Sequence, residues 1–202
     1  MARVPARVSV SPAPLDDPDA DLLARFAGGD STAARALTDG LGARSYAVAL
    51  RVLGDRAEAE DVAQEAMMRL WRIAPDWEPG TAKVSTWLYR VVMNLCIDRK
   101  RRRKRNGPAL DDVAEPADPG PSVVGRMQEA ERADALQGAL MELPERQRLA
   151  VILRHIEGLP NPEIAGIMEI STEAVESLTA RGKRALTAIL SGRREELGYE
   201  NA

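Results

Sequence analysis

The sequence lacks most of the residues that build disulfides, metal sites and membrane spans. Its single cysteine, Cys96, excludes an internal disulfide, and with His155 as its single histidine we expect no zinc site formed by this chain alone. No apolar stretch approaches the roughly 20 residues that span a bilayer. The first 15 residues also lack the apolar segment of a signal peptide. The sequence therefore predicts a cytoplasmic protein with no membrane insertion, no metal and no cofactor.

Aromatic residues are also scarce, at 3% of the chain, whereas Ala, Leu, Arg and Glu are abundant. This composition is typical of a helical protein with small cores. The formal net charge of -3 argues against a surface that coats nucleic acid as a whole. Basic residues that bind an anion must therefore act as a local cluster.

The 202 residues suffice for two small domains, and the prolines indicate where these divide. Residues 106–122 contain four prolines and several acids, which predicts a flexible acidic linker. Fully extended, it would reach about 55 Å. The predicted domains are residues 16–105 and 123–192, with tails at 1–15 and 193–202. Their apolar residues recur with helical period and no persuasive strand is found, so the predicted fold class is all-α.

Turn and capping residues divide the first domain into helices. Gly54 is expected to end one helix, and Asp55 to cap the next with Glu58 as its capping-box partner. Pro75 ends the helix that Asp55 begins. A further helix is predicted from about Ser85 into a basic run.

That basic run, residues 99–105, is seven consecutive cations, whose mutual repulsion an anion would relieve. The helix before it has a core stripe of Val84, Leu88, Val91 and Leu95. An adjacent face carries Trp87, Arg90, Asn94, Asp98 and Arg101. Cations track phosphates, aromatic rings stack on bases and amides bond base edges, so this face is typical of binding to single-stranded nucleic acid. Periodicity alone leaves open the alternative that Trp87 is core and the cations form a solvated tail.

The preceding helix, residues 55–74, has an acidic face. Its core positions are Val62, Ala66, Leu70 and Ile73, and the acidic face carries Asp61, Gln64, Glu65 and Met68. Such a face is either merely solvated or docks a partner helix that carries Arg. Spacing alone favours the solvated face.

The second domain contains the pattern of a helix-turn-helix. A helix begins at Pro144 and Glu145, a short helix covers residues 161–168, and Ser171 is the expected N-cap of a longer helix from Thr172. The longer helix would enter the major groove by its amino-terminal half. The residues that would face base edges are Thr172, Glu173, Glu176 and Ser177, and those that would hold phosphates are Arg181, Lys183 and Arg184. The alternative is a plain helical hairpin.

Three segments, in order, resemble one protein family. They are DRAEAEDVAQEAMMRLW, STWLYRVVMNLCIDRKRRR and LPERQRLAVILRHIEGLPNPEIAGIM with ISTEAVESLTARGKRAL. Together they resemble an extracytoplasmic-function (ECF) sigma factor of bacterial RNA polymerase. The resemblance implies a region 2 helical bundle that binds core polymerase, recognises the minus-ten element and melts DNA. It also implies a region 4 helix-turn-helix that reads the minus-thirty-five element.

The resemblance also implies a residue set for each partner. The core polymerase set is Asp61, Gln64, Glu65, Arg69 and Trp71. The minus-ten set is Asp76, Trp77, Lys83, Trp87, Arg90, Asn94, Arg99, Lys100, Arg101 and Arg102, in which the loop at residues 76–83 captures a flipped base. The minus-thirty-five set is Ser171, Thr172, Glu173, Glu176, Ser177, Arg181, Lys183 and Arg184. An anti-sigma factor is an implied further partner, and a small-molecule substrate is not expected.

The sequence thus predicts a non-enzymatic initiation factor that recruits core polymerase to promoters and opens the duplex. One alternative is a helix-turn-helix regulator that binds DNA without recruiting polymerase, which leaves the acidic face at residues 55–74 unexplained. A nucleic-acid enzyme such as a helical nuclease is a weaker alternative, because the sequence offers no cluster of metal-binding carboxylates.

Overall fold

The computed structural model describes residues 17–80, 82–106 and 123–192. Every regular element among them is helical, which confirms the predicted all-α class with two helical domains. The predicted tails, and the predicted linker beyond Asn106, lie outside the described residues. The exact domain limits therefore stay a prediction.

The first domain is built from helices that surround a common core. They are α1 (Pro18–Ala27), α2 (Ser31–Leu37), α3 (Ala43–Leu53), α4 (Arg56–Ile73) and α5 (Val84–Asn106). A π-helical turn, Thr38–Gly42, joins α2 to α3, and a 3₁₀ turn, Ala74–Asp76, follows α4.

The second domain contains the predicted helix-turn-helix. Its helices are α6 (Val123–Glu142), α7 (Glu145–Val151), α8 (Asn161–Met168) and α9 (Thr172–Ser191). A π-helical turn, Ile152–Ile156, extends α7, and the turn between α8 and α9 contains Glu169 in the left-handed region, with φ 54°. Ser171 caps α9 as predicted, because its hydroxyl accepts from the Ala174 N–H at 3.2 Å.

The capping of α4 and α5 differs in part from the prediction. Asp55 caps α4 as expected, accepting from the Glu58 N–H at 2.9 Å. The Glu58 carboxylate accepts from Arg99 on α5, so it ties two helices together. Helix α5 begins at Val84, just before the predicted start, because the Asp17 carboxylate accepts from the Val84 N–H at 2.8 Å. A side chain 67 residues away thus caps this helix.

Helix α5 is buried over a wider arc than the predicted core stripe. Val84, Leu88 and Leu95 are buried as expected, whereas Val91 is half-buried. Further positions, Tyr89, Val92, Met93 and Cys96, are buried too. The reason is that α5 packs against α1, α3, α4 and also α8 of the second domain. Burial raises the pKa of the Cys96 thiol to about 12, so this thiol is a core group.

The second domain also completes the hydrogen bonding of α3. Carbonyl groups at the carboxyl end of a helix need partners from outside it. Gln137 Nε2 donates to Leu50 O at 3.1 Å, and Arg148 Nη1 donates to Val52 O at 2.8 Å. A guanidinium at this end is also favoured by the helix dipole. The two domains are therefore packed together, with α3 against α6 and α7, and α5 against α8.

Helices α7 and α9 cross at Gly182, which is buried. A Cβ at this position would lie 2.6 Å from Val151 Cγ2 and 3.1 Å from Gln147 O. Gly166 in α8 is a matched contrast, because a Cβ there would have no neighbour within 4 Å. The helix-turn-helix is thus held by a close helix crossing that permits no side chain.

We expect Gly182→Ala to destabilise the protein by about 1–3 kcal/mol through overpacking. Gly166→Ala is the control, and it should be neutral or stabilising by up to about 1 kcal/mol because alanine favours helix. Urea denaturation followed by circular dichroism measures both. Equal midpoints for Gly182→Ala and the wild type would contradict the close crossing.

Candidate nucleic-acid and partner surfaces

Helix α4 presents a mixed acidic and apolar surface. Asp61 and Gln64 are exposed, Glu65 and Arg69 are half-buried, and Met68 is 61% exposed. An exposed methionine amid acids is unusual: among the described residues, Met141 is the one other large apolar side chain that is exposed. Soft apolar side chains of this kind adapt to partner surfaces. The face therefore has the chemistry of a docking site.

Two members of the predicted polymerase set, Arg69 and Trp71, contact other side chains of the first domain. Arg69 pairs with Glu65 at 2.6 Å, one turn apart on the helix. Trp71 is half-buried and packs against Phe26 with ring centroids 4.4 Å apart. Trp71 thus lies where α4 meets α1.

Arg99 lies on the side of α5 that faces the acids of α4. Its guanidinium contacts Glu58, Asp61 at 3.2 Å and Glu65 at 4.0 Å. Arg103 similarly lies 3.7 Å from Asp55. The predicted minus-ten residue Arg99 is thus placed together with two residues of the predicted polymerase set. Part of the basic run therefore holds α4 and α5 together.

Four other cations of the run, Arg101, Arg102, Lys104 and Arg105, are exposed. Arg101 and Arg102 are exposed and form no ion pair with any described residue, and together with Asp98, Lys104 and Arg105 they line an open groove. Lys100 is half-buried, and burial lowers the pKa of its ammonium group. Some cations of the run therefore hold α4 and α5 together, and the others form an exposed basic surface.

The polar face of α5 leads from this groove toward the loop after α4. Arg90 and Asn94 are exposed along it. Trp87 is half-buried and meets Trp77 edge to face, with ring centroids 6.2 Å apart. The indole N–H of Trp77 is buried without a hydrogen-bond partner. Asp76 is exposed at the start of this loop, and Thr81 lies outside the described residues. Two indoles, a guanidinium and an amide are thus brought together on one side of the first domain.

Three glutamates of the second domain approach this side, and the sequence prediction missed all of them. Thr86 Oγ1 donates to Glu163 at 2.8 Å, Tyr89 Oη donates to Glu157 at 2.7 Å, and Arg90 pairs with Glu169. Lys83 lies 3.5 Å from Glu163, and Arg51 lies 3.8 Å from Glu157. Burial, and secondly the bond to Glu157, raises the pKa of Tyr89, so its hydroxyl stays a donor. The one available sequence signal was the recurrence of acids around the short helix α8.

The outer face of α9 carries the predicted minus-thirty-five set. Ser171, Glu173, Glu176, Ser177, Arg181, Lys183 and Arg184 are exposed, and Thr172 is half-buried. Glu176 accepts from Asn161 Nδ2 at 3.4 Å, which links the two helices of the motif. Arg181 Nε donates to Ser177 O at 3.2 Å. The structure thus brings this set together on one accessible helix.

Comparison with known families now bears on these surfaces. Residues 40–106 match Sigma-70 region 2, and residues 133–186 match Sigma-70, region 4. ECF RNA polymerase sigma factor SigM of Mycobacterium tuberculosis is 34% identical over 173 residues, which cover 85% of this chain and 84% of SigM. The chain belongs to the ECF sigma factor family. This confirms the resemblance and favours a sigma factor over a regulator that does not recruit polymerase.

Two further relatives show how far the likeness extends. ECF RNA polymerase sigma factor SigE of Mycolicibacterium smegmatis is 34% identical over 152 residues, but the match spans only 58% of SigE and 73% of this chain. The structure of CnrH in complex with the cytosolic domain of CnrY aligns with a TM-score of 0.62 and 26% identity, covering 87% of this chain and 99% of CnrH.

Within the described ranges, no helix is long and apolar enough to cross a membrane. The same part of the chain contains no group of three or more His, Cys, Asp or Glu placed to hold a metal ion.

Replacing Arg101 and Arg102 by glutamine should reduce the salt dependence of DNA binding. Each phosphate contact that is made releases counterions from the DNA, so a variant with fewer contacts releases fewer of them. The slope of log K against log salt should fall in magnitude by about 1.4 for single-stranded DNA. Fluorescence anisotropy over about 50–200 mM salt measures it. The control R35Q/R146Q removes two exposed cations elsewhere and should leave the slope unchanged. An equal change in both variants would contradict a localised basic surface.

Proposed function

We propose that this protein is an initiation factor that binds core RNA polymerase through its first domain, directs it to promoters through both domains and opens the duplex near the start site. It acts in the cytoplasm with the polymerase and catalyses no reaction of its own. The observation that carries the proposal is the division of surfaces around α5. One side of the first domain carries the acidic, methionine-bearing face of α4, and another carries the indole, guanidinium and amide groups of α5.

Strand opening follows from the chemistry of the α5 surface. Extracting a base from the duplex costs a few kcal/mol, and stacking on an aromatic side chain returns about 1–3 kcal/mol per base. Trp77 and Trp87 supply the aromatic surface on which a base can stack. Arg101 and Arg102 then hold neighbouring phosphates in a sequence-independent way.

The face of α4 suits a helical partner that carries cations. Asp61 and Glu65 supply charge, and Met68 supplies an exposed apolar contact beside them. Opposite charges across such an interface accelerate association and fix its register. We assign this face to core polymerase.

Helix α9 is assigned to the upstream promoter element. Its exposed cations, Arg181, Lys183 and Arg184, would hold phosphates, and Glu173, Glu176 and Ser177 would face base edges. Glu176 is an acceptor suited to the cytosine amino group. The upstream site is therefore expected to contain cytosine opposite this residue.

An anti-sigma factor is proposed as a further partner. CnrH, which has the same fold, was solved in complex with the cytosolic domain of CnrY. A protein that covers the α4 or α5 surfaces of this chain would block polymerase or promoter binding. No described residue identifies that partner.

Run-off transcription tests the proposed function directly. Core polymerase with this protein should yield start-site-specific transcripts from a subset of a promoter library, whereas core enzyme alone should not. The core enzyme must be one that supports another ECF sigma factor in a parallel reaction. Absence of any specific transcript under those conditions would overturn the proposal.

The double variant D61N/E65Q should weaken core polymerase binding by about tenfold, because it removes two charges from the docking face. The control D21N/D39N removes two exposed charges at α1 and at the turn before α3, and should bind normally. Anisotropy of labelled protein titrated with core enzyme measures the affinity. Normal binding of D61N/E65Q would move the polymerase interface elsewhere.

A further inference from the structure

The Met141 side chain, near the end of α6, carries one of the accessible sulfur atoms of the described residues. It is 37% exposed, and Met68 on α4 is 61% exposed. Met67 and Met93 are buried, and so is Cys96, the single cysteine of the chain. An oxidant that attacks sulfur in the described part of the chain therefore meets the thioethers of Met68 and Met141 before the thiol.

Met141 lies directly on the glycine that ends α3. A Cβ at Gly54 would lie 2.9 Å from Met141 Cε, 3.0 Å from Sδ and 3.4 Å from Cγ. Unstrained contacts between such atoms are about 3.5–4.0 Å long. The methionine thus fills the space that a side chain at residue 54 would need. Little room remains for a further atom between this sulfur and α3.

The same sulfur accepts a hydrogen bond from a buried cation. Arg148 Nη1 donates to Met141 Sδ at 3.2 Å and to Val52 O at 2.8 Å. Its Nη2 donates to Met141 O at 2.7 Å and to Leu143 O at 3.1 Å. Arg148 is 4% exposed. These bonds fix the guanidinium where the ends of α3 and α6 meet.

This guanidinium is short of strong acceptors. A thioether sulfur accepts hydrogen bonds only weakly. Arg148 Nε, moreover, is buried without a hydrogen-bond partner among the described residues, whereas buried donors normally have one. Since Met141 supplies both a sulfur and a carbonyl to this cation, any change at the sulfur alters how Arg148 is held.

We propose that Met141 is an oxidation site, at which a peroxide converts the thioether to a sulfoxide and so loosens the junction that Arg148 forms between the ends of α3 and α6. The inference does not depend on the proposed function, because it involves neither polymerase nor DNA. It gives a chain without a disulfide a way to respond to an oxidant.

The chemical step is an oxygen transfer that moves two electrons. A lone pair of Met141 Sδ attacks one oxygen of hydrogen peroxide, and the O–O bond breaks. The proton on the transferred oxygen passes to the departing hydroxide, which leaves as water. The thioether is thereby oxidised to a sulfoxide and the peroxide is reduced. Methionine sulfoxide reductases reverse this change, so the site can be reset.

Reaction at either lone pair of the sulfur disturbs the junction. One lone pair accepts from Arg148 Nη1. An oxygen formed there must fit between Sδ and Nη1, and because Nη1 is also bonded to Val52 O, it is the methionine that has to move. An oxygen formed at the other lone pair leaves Arg148 facing a sulfoxide sulfur, which carries partial positive charge. Both sulfoxide epimers therefore weaken the contact.

The test uses the full chain and the variants M141L and M68L. Leucine has nearly the volume of methionine and resists peroxide, so both variants should fold. The proteins are exposed to hydrogen peroxide for increasing times, and peptide mass spectrometry follows each methionine. Met141 and Met68 should be converted about tenfold faster than Met67 and Met93, because susceptibility follows exposure.

Oxidation should lower the apparent Tm of the wild type by about 2–4 °C. It should also speed hydrogen exchange at the end of α3, where the Gly54 N–H donates to Leu50 O. M68L should respond like the wild type, whereas M141L should keep its Tm and its exchange rates. Treatment with methionine sulfoxide reductase should return the oxidised wild type to its starting values.

The inference fails if Met141 stays a thioether while Met68 is converted. It also fails if Met141 is converted but Tm and hydrogen exchange do not change. An equal loss of Tm in M141L would assign the response to another sulfur, Cys96 included, and would overturn the role of Met141. Because none of these measurements uses polymerase, run-off transcription decides the proposed function separately.

Discussion

Charge compensation along α5 is the constraint on which the rest of this structure depends. The helix and its entry loop carry a dense set of cations, and carboxylates reach them from two directions. From α4, Glu58 and Asp61 hold Arg99. From the second domain, Glu163 and Glu169 approach Lys83 and Arg90. The cations that no carboxylate compensates lie mainly in the exposed groove near the end of α5. This part of the helix attracts a polyanion in every arrangement of the domains.

Because of this charge distribution, α5 is joined by ion pairs to α4 on one side and to the second domain at α8 on the other. Arg99 links the acidic face of α4 to the helix that carries the proposed DNA-binding groups, so a partner that contacts Asp61 also changes the surroundings of Arg99. The α8 side of the same helix is held by pairs that salt and competing anions weaken. If the proposed sites are right, polymerase bound on one side of α5 and DNA bound on the other can influence each other through this helix.

Local features were predictable from the sequence, and long-range pairings were not. Asp55, Ser171 and Gly54 mark helix ends because capping depends on neighbours three or four residues away. Helical periodicity identified buried Leu88 and exposed Arg90, yet it says only which side faces away from water. It does not say that α8 covers part of α5, or that Glu163 is the partner of Thr86 across 77 residues. Such contacts depend on how the two domains meet, which no local pattern encodes.

The Asp17 cap on α5 has a consequence for where this folding unit starts. The region 2 match begins at residue 40. The first turn of α5, however, is bonded to the side chain of Asp17, which lies 23 positions before residue 40. Leu23 and Leu37, both fully buried, also precede the match. A shortened chain that starts at residue 40 would expose an apolar surface and release the amino end of the helix beside Trp87. The segment before the recognised region is thus a structural part of the domain that presents the helix proposed to bind the promoter.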